Sequence, residues 1–218
     1  FLTLGSPMEF DNVIMQTVSG PHPSGNVGIQ IHHTKPLRPG DVIWSVNAQH
    51  VITLGKLFQT GAYDPTIIVS IGGSGATTPT TVKTVTGANI GLLISEQNIE
   101  SPTRLISGDV LTGQTVEHSG FLGFYDSSIT IINDKVKRPF LGMLSFGSNK
   151  TKYSLSNTFL SYGEQSFDFT TSQNGELRAM VPLNAWENVL PMDIYPNPLY
   201  RAILAQDIEE MEKLGIWE

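Results

Sequence analysis

Apolar positions recur with helical spacing in one stretch near the start of the chain. From Val42 to Phe58 the apolar side chains stand mostly three or four residues apart, as on a helix with one apolar face. Gly61 marks the predicted C-terminal stop, and Asn47 is a candidate N-cap within the segment. The pattern therefore predicts a helix here, starting either at Val42 or at Asn47.

A run of β-branched residues follows this helix. The segment from Thr66 to Ile71 has the length of a buried strand and ends at Gly72. Because a helix followed by a buried strand is half of an αβ crossover unit, residues 1–75 are predicted to be the last part of an α/β domain. The stretch Gly72-Gly73-Ser74-Gly75 is interpreted as the linker that ends this domain.

Shorter, strand-like segments dominate the region after the linker. One short helix, from Asn89 to Ile94, is predicted among them. The strand candidates are Thr80–Thr86, Thr103–Gly108, Ser128–Asn133 and Pro139–Leu144. Several strands with a single short helix are typical of a small β-rich α+β domain, which we place at residues 76–145.

The last third of the chain, residues 146–218, is predicted to be an irregular and helical region. Leu155–Leu160 is compatible with a helix or an extended segment, and Asn174-Gly175 is a turn signal. Two helices are predicted near the end of the chain, Pro198–Asp207 and Asp207–Leu214. The fold class predicted for the whole chain is α+β.

The composition narrows the function classes. Charged residues make up 15% of the chain, against roughly 25% in typical soluble domains, and the formal net charge is −7. A net negative chain without a basic stripe excludes nucleic acid as a partner. The absence of cysteine excludes disulfides and thiolate-held iron–sulfur clusters within the chain. No apolar run reaches the ~20 residues that cross a bilayer. The start at Phe1, without an initiator Met, indicates a fragment.

No catalytic or metal-binding pattern is found in the sequence. The histidines are His22, His32, His33, His50 and His118. No pair of them has the helical i,i+4 spacing of a zinc site. His32 and His33 are adjacent, and in a strand they would point to opposite faces. There is also no G-x-S-x-G elbow for a nucleophilic serine. We therefore predict no metal site and no catalytic residue.

Two glycine-containing loops are candidates for ligand binding. The loop from Gly20 to Gly25 is predicted to lie between a strand near Ile14 and an extended segment from Val27 to His32. This position favours either a rigid turn or a ligand loop at the carboxyl ends of strands. The Gly72 stretch is the weaker candidate for phosphate binding, because the segment after it contains Pro79 and cannot open a helix.

Three stretches, in order along the chain, resemble the NqrA family. They are Ser19–Gly25 with Gly28 and His32, Val42–Ile52 with Gly55–Phe58, and Arg104–Gly113 with Phe121–Gly123. Further matching segments are Phe169–Thr171, Arg178–Pro182 and Val189–Ile194. Because the segments keep the family's order and cover nearly the whole chain, we identify the chain as a fragment of a family member without its N-terminal domain and C-terminal segment.

The resemblance implies a fold. The family is similar to RnfC and to the flavin- and NADH-binding subunit of complex I. These relatives have an α/β domain, a β-grasp domain of the soluble ligand-binding type and a helical region. The resemblance thus implies a partial Rossmann-like domain at residues 1–75, a β-grasp domain at 76–145 and a small helical region at 146–218. The flavin loop and the cluster-binding cysteines of the relatives are not present in this chain.

The resemblance also implies a function. The chain would belong to a cofactor-free peripheral subunit of the Na⁺-translocating NADH:quinone reductase, at the cytoplasmic face of the bacterial inner membrane. FMN, FAD and a 2Fe–2S centre would reside on partner subunits. The chain would dock on the membrane subunits and contact ubiquinone or menaquinone, whose flat ring needs apolar walls and one or two donors. The candidate quinone contacts are Gly20, Pro21, His22, Pro23, His32, Lys56 and Phe58.

Two other hypotheses remain open at this point. The first is a flavin- or nucleotide-binding oxidoreductase module, in which the Gly20 loop or the Gly72 stretch holds phosphate. The second is a free-standing binder of small ligands that uses the β-grasp domain. Aromatic residues such as Trp44, Phe124 and Tyr125 are predicted to be core or interface residues rather than site residues.

Overall fold

The computed structural model describes residues 13–38, 40–97, 99, 102–134, 171 and 186–217. The chain divides into two compact units, one bounded by residues 1–45 and 179–218 and the other by residues 46–178. The helices are α1 Val27–Thr34, α2 Ala48–Thr60, α3 Ile90–Leu93, α4 Pro196–Ala205 and α5 Ile208–Lys213. The strands are β1 Thr66–Gly72, β2 Thr80–Val85, β3 Thr103–Ser107, β4 Gln114–Val116 and β5 Ser128–Asn133. Helices combined with one five-stranded sheet agree with the predicted α+β class.

Strand β1 lies inside the sheet, whose order is β2-β1-β5-β3-β4. It runs antiparallel to β2 and parallel to β5, and β3 is antiparallel to both β5 and β4. The sequence pattern groups β1 with residues 1–75, whereas the structure pairs it with strands of residues 76–145. A β-branched run indicates a buried strand but does not tell which strands are its neighbours.

The glycine stretch after β1 connects two paired strands of this sheet. Gly75 donates its backbone N–H to the carbonyl oxygen of Ile131 in β5 at 2.9 Å, and Gly73 has φ +115°. A Cβ on Gly73 would collide with the backbone of Ile131. The stretch therefore differs from the predicted interdomain linker. It leads into β2 and not into a helix that could receive a phosphate.

One face of the sheet carries the core of this unit. Ile67, Val69 and Ile71 of β1 are buried, while Ile68 and Ser70 between them are exposed. The other buried members of the cluster are Ile90, Ile94, Leu105, Leu122, Ile129 and Ile131. The alternation follows from the period-two geometry of a strand, which puts every second side chain on the same face.

Helix α2 confirms the predicted helix and starts at the second of the two predicted positions. Asn47 is its N-cap and accepts a hydrogen bond from the backbone N–H of Gln49 at 2.8 Å. Gly61 has φ +72° and ends the helix as predicted. Residues 42–47 are irregular, so the apolar spacing continues for six residues before the backbone becomes helical.

The two segments predicted as extended beside the Gly20 loop are not strands. Residues 13–19 have no regular structure, and Val27–Thr34 is helix α1. The apolar residues at Val27, Ile29 and Ile31 alternate as in a strand, but Ile29 is the one buried residue of the helix. The backbone N–H of Gln30 donates to the carbonyl of Asn26 at 3.1 Å and closes the first turn. Local helical bonding here overrides a period-two pattern of only three residues.

The two C-terminal helices confirm the prediction with small shifts of their ends. Pro196 stands in the first turn of α4, and the Asp207 side chain caps α5 by accepting from the N–H of Glu210 at 3.1 Å. Asn197 is buried in α4 and donates to the Glu187 carboxylate at 2.8 Å. This bond joins the turn at residues 186–189 to the helix.

The remaining strand and turn predictions compare as follows. The predicted strands at Thr80, Thr103 and Ser128 are confirmed, as is the short helix after Asn89, whereas β4 was not predicted. β4 has only three residues, which is too short for an alternating pattern to be recognised. The predicted strand Pro139–Leu144, the segment Leu155–Leu160 and the turn at Asn174-Gly175 lie outside the described residues.

Candidate functional site

The loop from Gly20 to Gly25 is closed by its own backbone hydrogen bonds. Ser24 donates its N–H to the carbonyl oxygen of Pro21 at 3.0 Å, and Asn26 donates to the carbonyl of Pro23 at 2.8 Å. The loop is therefore a tight turn that leads directly into α1. Its role in binding a ligand stays a prediction.

His22 stands exposed on this turn, next to the half-buried Pro23, and the peptide bond between the two is cis. Gly20 has φ +148°, and a Cβ added to it would lie 3.2 Å from Oγ of Ser24. The turn thus requires glycine at its first position. Of the candidate contacts on this loop, the imidazole of His22 and the ring of Pro21 are accessible to a ligand from solvent.

The two adjacent histidines lie on α1, so the prediction that a strand separates them is wrong. Consecutive residues of a helix are about 100° apart, and the ring centroids of His32 and His33 are 5.0 Å apart with an angle of 83° between the planes. Nε2 of His33 lies 2.7 Å from the carbonyl oxygen of Pro191. Because a carbonyl only accepts, this nitrogen carries the hydrogen. His33 thereby ties α1 to the segment before α4, and His32 stays half-buried.

Lys56, a predicted quinone contact, is engaged in an ion pair. Its Nζ lies 2.8 Å from Oδ2 of Asp64, and Oδ1 of the same carboxylate accepts from the backbone N–H of Thr66 at 3.1 Å. The hydrogen bond from Lys56, followed by the bonds from Thr66, holds the pKa of Asp64 well below its usual range. The pair fixes the turn between α2 and β1, which gives Lys56 a structural role.

Phe58 belongs to an exposed apolar stripe on α2. Its side chain is 87% exposed, and Val51 and Leu54, which precede it by seven and four residues, are also exposed. The half-buried residues of the helix are Gln49, His50, Thr53 and Leu57. Lys56 and Phe58 are two positions apart and so leave the helix about 200° from each other. They therefore do not form one site.

A cluster of three rings, which we call the aromatic corner, joins α2 to the loop before β5. It consists of His50, Phe124 and Tyr125. The rings of His50 and Phe124 are nearly parallel, with 15° between their planes and 5.9 Å between centroids. The Tyr125 ring stands almost perpendicular to both, 5.9 Å from His50 and 4.9 Å from Phe124. Tyr125 is 80% and Phe124 56% exposed. The cluster therefore presents open aromatic surface to solvent.

The loop that carries two of these rings is held from below by a buried polar pair. Oγ of Ser107, which is buried at the end of β3, donates to Oδ2 of Asp126 at 2.5 Å. The same hydroxyl oxygen accepts from the backbone N–H of Gly123 at 2.9 Å. A Cβ on Gly123 would collide with the Asp126 carboxylate. The positions of Phe124 and Tyr125 are thus fixed by bonds on both sides of them.

An open groove of about 960 Å³ lies between α3 and the edge of β3 and β4. Apolar walls come from Ile94, Leu105 and Val116, and polar groups come from Arg104 and His118. The guanidinium of Arg104 is neutralised by Asp134 at 3.4 Å. The groove is therefore an amphipathic surface whose cation is already paired.

The described ranges contain no set of three or more His, Asp or Glu side chains arranged to hold a metal ion. They also contain no helix that is long and apolar enough to cross a membrane. Neither observation assigns a cofactor or a location to the chain.

Sequence reasoning missed the aromatic corner as a unit. The residues Phe124 and Tyr125 are adjacent, but His50 is far from them along the chain, and only the fold brings the three together. The one local signal is the adjacency of two large aromatic residues in a loop between glycine and serine residues. Such pairs are common in cores, so the pattern alone did not indicate an exposed cluster.

Comparison with known proteins gives two family matches. The family described as NqrA second alpha/beta domain matches residues 4–63, and the family described as NQRA C-terminal domain matches residues 68–118. The boundary between them falls at the start of β1, in agreement with the pairing of β1 in the sheet. Helix α2 falls in the first match although it packs with β1 in the structure.

Curated relatives extend the similarity over most of the chain. They include the NqrA component of the Na(+)-translocating NADH-quinone reductase from Hahella chejuensis, 38% identical over 210 residues, and its counterpart from Pasteurella multocida, 38% identical over 209 residues. The counterpart from Pseudomonas aeruginosa is 40% identical over 209 residues. These matches cover 94% or 95% of this chain but 46% of each relative, so the chain spans about half the length of the curated relatives it matches. On the two domain matches and this similarity, the chain belongs to the NqrA family.

Proposed function

We propose that the chain works as part of a peripheral subunit in a complex that transfers electrons from NADH to quinone and moves Na⁺ across the bacterial inner membrane. The observation that carries this proposal is the similarity along 94% or 95% of the chain to proteins named as one subunit of such a reductase. The chain itself would supply no catalytic residue. Its tasks would be docking at the cytoplasmic face and contact with quinone.

The sheet supports a β-grasp assignment for the second domain. A mixed sheet with a parallel central pair, β1 and β5, flanked by antiparallel β2 on one side and β3 with β4 on the other, is the strand order of that fold. The short helix α3 between β2 and β3 covers one face. For the first domain, the match to the NqrA second alpha/beta domain supports the Rossmann-like assignment.

Docking would use the exposed stripe of α2 formed by Val51, Leu54 and Phe58. A helix without a buried residue that nevertheless carries an apolar stripe is typical of a surface covered in an assembly. The relatives are named as subunits, so the occupant we propose is a membrane subunit of the same reductase. FMN, FAD and the 2Fe–2S centre would be bound by partner subunits, since a chain without cysteine offers no thiolate ligands.

The proposal is tested with a chimera, because the chain covers about half of its relatives. The matching segment of the Pseudomonas aeruginosa relative is replaced by this chain in cells that lack the natural protein. We expect the chimera to copurify with the other subunits and to restore Na⁺-dependent quinone reduction by NADH. A chimera that is folded and produced but copurifies with none of the other subunits would contradict the docking function.

A pair of variants then tests the docking stripe itself. Leu54→Ser removes an apolar side chain from the stripe, and Leu111→Ser removes an exposed leucine from a loop elsewhere on the same unit. Both should leave the isolated chain folded, because neither side chain is buried. Only Leu54→Ser should reduce copurification, and equal behaviour of the two variants would exclude the stripe.

The alternative function, a flavin- or nucleotide-binding module, has one observation in its favour. The Gly20 loop leads directly into α1, and a helix N-terminus attracts phosphate. Purified chain with excess FMN, followed by absorbance and fluorescence, separates the two functions. Saturable quenching of FMN that is lost in Gly20→Val would support this module, whereas no quenching would leave the subunit proposal alone.

A further inference from the structure

The aromatic corner has the shape of a floor and a wall. His50 and Phe124 are nearly parallel and make the floor, and Tyr125 stands at 87° and 81° to them and makes the wall. A flat ring that stacks on Phe124 would lie along this floor, with its edge against the Tyr125 ring. Parallel stacking and edge-to-face contact are the two arrangements that aromatic rings favour.

The corner also carries hydrogen-bond donors at its rim. The phenol of Tyr125 and the imidazole of His50 can each donate, whereas Phe124 cannot. A ligand with a flat ring and acceptor oxygens on opposite edges would stack and bond at the same time. These are the requirements of a site with apolar walls and a few donors.

The exposure of these rings is not a by-product of core packing. The core of the unit consists of aliphatic residues on the sheet face and α3, and neither Phe124 nor Tyr125 belongs to it. The Ser107–Asp126 bond and the Gly123 N–H nevertheless fix the loop under them. A rigid loop that presents two adjacent rings to solvent is pre-organised for a ligand, which lowers the entropic cost of binding.

We propose that the aromatic corner of His50, Phe124 and Tyr125 binds the ring of a quinone. The inference rests on the proposed function, because the relatives' names provide the substrate class. The flat quinone ring stacks on Phe124, its edge meets Tyr125, and one carbonyl oxygen accepts from the phenol or the imidazole. The corner replaces the residues that the sequence favoured, since Lys56 is ion-paired with Asp64 and lies away from Phe58.

The test is a titration of the full chain with 2,3-dimethoxy-5-methyl-1,4-benzoquinone, a soluble quinone. Incorporated 3-fluorotyrosine is observed by ¹⁹F NMR, and Tyr125→Phe identifies the resonance among the six tyrosines. We expect a saturable shift of the Tyr125 signal. Without cysteine in the chain, no thiol adduct of the quinone can imitate binding. Cyclohexane-1,4-dione, which has two carbonyl oxygens but no flat ring, should give a much weaker shift.

Variants locate the site. Phe124→Ala should weaken the Kd roughly three- to tenfold, as expected for the loss of one ring contact. Phe121→Ala is the matched control, because Phe121 is an exposed phenylalanine of the same loop that makes no ring contact in the corner. Phe58→Ala, the sequence-favoured candidate, should also leave the Kd unchanged.

Two results would overturn the inference. One is the absence of a saturable shift, and the other is a Kd that Phe124→Ala leaves at the wild-type value. Either result leaves the proposed function intact if the chimera still assembles and reduces quinone. If the chimera carrying Phe124→Ala fails to assemble while the isolated chain binds no quinone, the corner is a protein contact and the inference is wrong.

Discussion

The side-chain amide of Gln49 binds both backbone groups of Ile68. Its Oε1 accepts from the Ile68 N–H at 2.7 Å, and its Nε2 donates to the Ile68 carbonyl oxygen at 2.9 Å. β5 pairs with β1 only from Ser70 to Gly72, so at Ile68 this amide takes the place of a neighbouring strand. The bond pair ties the start of α2, and with it His50, to the sheet.

Gln49→Ala should therefore expose the Ile68 amide. We expect faster hydrogen exchange at Ile68 and a loss of about 1–2 kcal/mol in the free energy of unfolding in urea, since two hydrogen bonds in a solvent-accessible position are lost. Gln97 makes the same double bond with Thr78, at 2.9 and 3.2 Å, and provides a matched control. Gln97→Ala should accelerate exchange at Thr78 and leave Ile68 unchanged. Equal exchange at Ile68 in both variants would contradict the local role of Gln49.

The Lys56–Asp64 pair predicts a pH dependence. Because the pKa of Asp64 is depressed in the folded chain, its contribution to stability is present at neutral pH. It is lost as the pH falls below the ordinary carboxyl pKa of about 3.9 and through the folded value. Lys56→Met should raise the pKa of Asp64 toward the ordinary value, as followed by NMR titration of the carboxyl carbon.

A second exposed pair is the control for this titration. Lys213 lies 3.4 Å from Glu210 on α5, and Lys213→Met should not change the titration of Asp64. If Asp64 titrates at the same pH with and without Lys56, the ion pair is not the main cause of its low pKa. The bonds from Thr66 would then be responsible.

Ser107→Ala should loosen the aromatic corner. It leaves the Asp126 carboxylate and the Gly123 N–H without their buried partner, which we expect to cost about 1–3 kcal/mol in the free energy of unfolding. The NOE contacts between His50 and Phe124 should weaken at the same time. Ser70→Ala is the control, because the Ser70 hydroxyl is exposed and only 3.4 Å from the Ser127 carbonyl. A Ser107→Ala chain with wild-type stability and unchanged NOE contacts would show that the pair does not hold the loop.

Two glycine-to-alanine changes in helices should have opposite effects. A Cβ on Gly55 of α2 meets open space, so Gly55→Ala should stabilise the chain by about 0.5–1 kcal/mol. A Cβ on Gly91 of α3 would lie 2.6 Å from the His118 carbonyl oxygen, and Gly91→Ala should destabilise it by about 1–3 kcal/mol. Urea unfolding measures both effects. Stabilisation by both changes would mean that α3 and the His118 segment can separate at little cost.

The sequence allowed most elements of the fold to be predicted where a local signal is strong. Asn47 and Gly61 bound α2 as cap and stop, and Asp207 caps α5. The prediction failed at α1, where three alternating apolar residues imitated a strand, and at β4, where three residues carry too little pattern. It also misplaced β1, because strand neighbours are decided by contacts between distant segments.

The candidate site was less predictable than the fold. Lys56 was chosen by its position in a family motif, but its ion pair with Asp64 depends on the turn after α2. The aromatic corner depends on the meeting of α2 with a loop that follows β4, which no local pattern encodes. Site residues that are assembled from distant segments need the fold before they can be recognised.

The parallel pairing of β1 with β5 has a consequence for synthesis of the chain. During translation β1 and β2 leave the ribosome early, but β5 follows only after β3 and β4. At roughly 5–20 residues per second, the nascent β1 waits for seconds before its parallel neighbour emerges. Throughout this interval Ile67, Val69 and Ile71 lack the contacts that β5 provides. The growing polypeptide is thus a substrate for chaperones that bind apolar segments at the ribosome, and lower growth temperature should raise its yield in a foreign host.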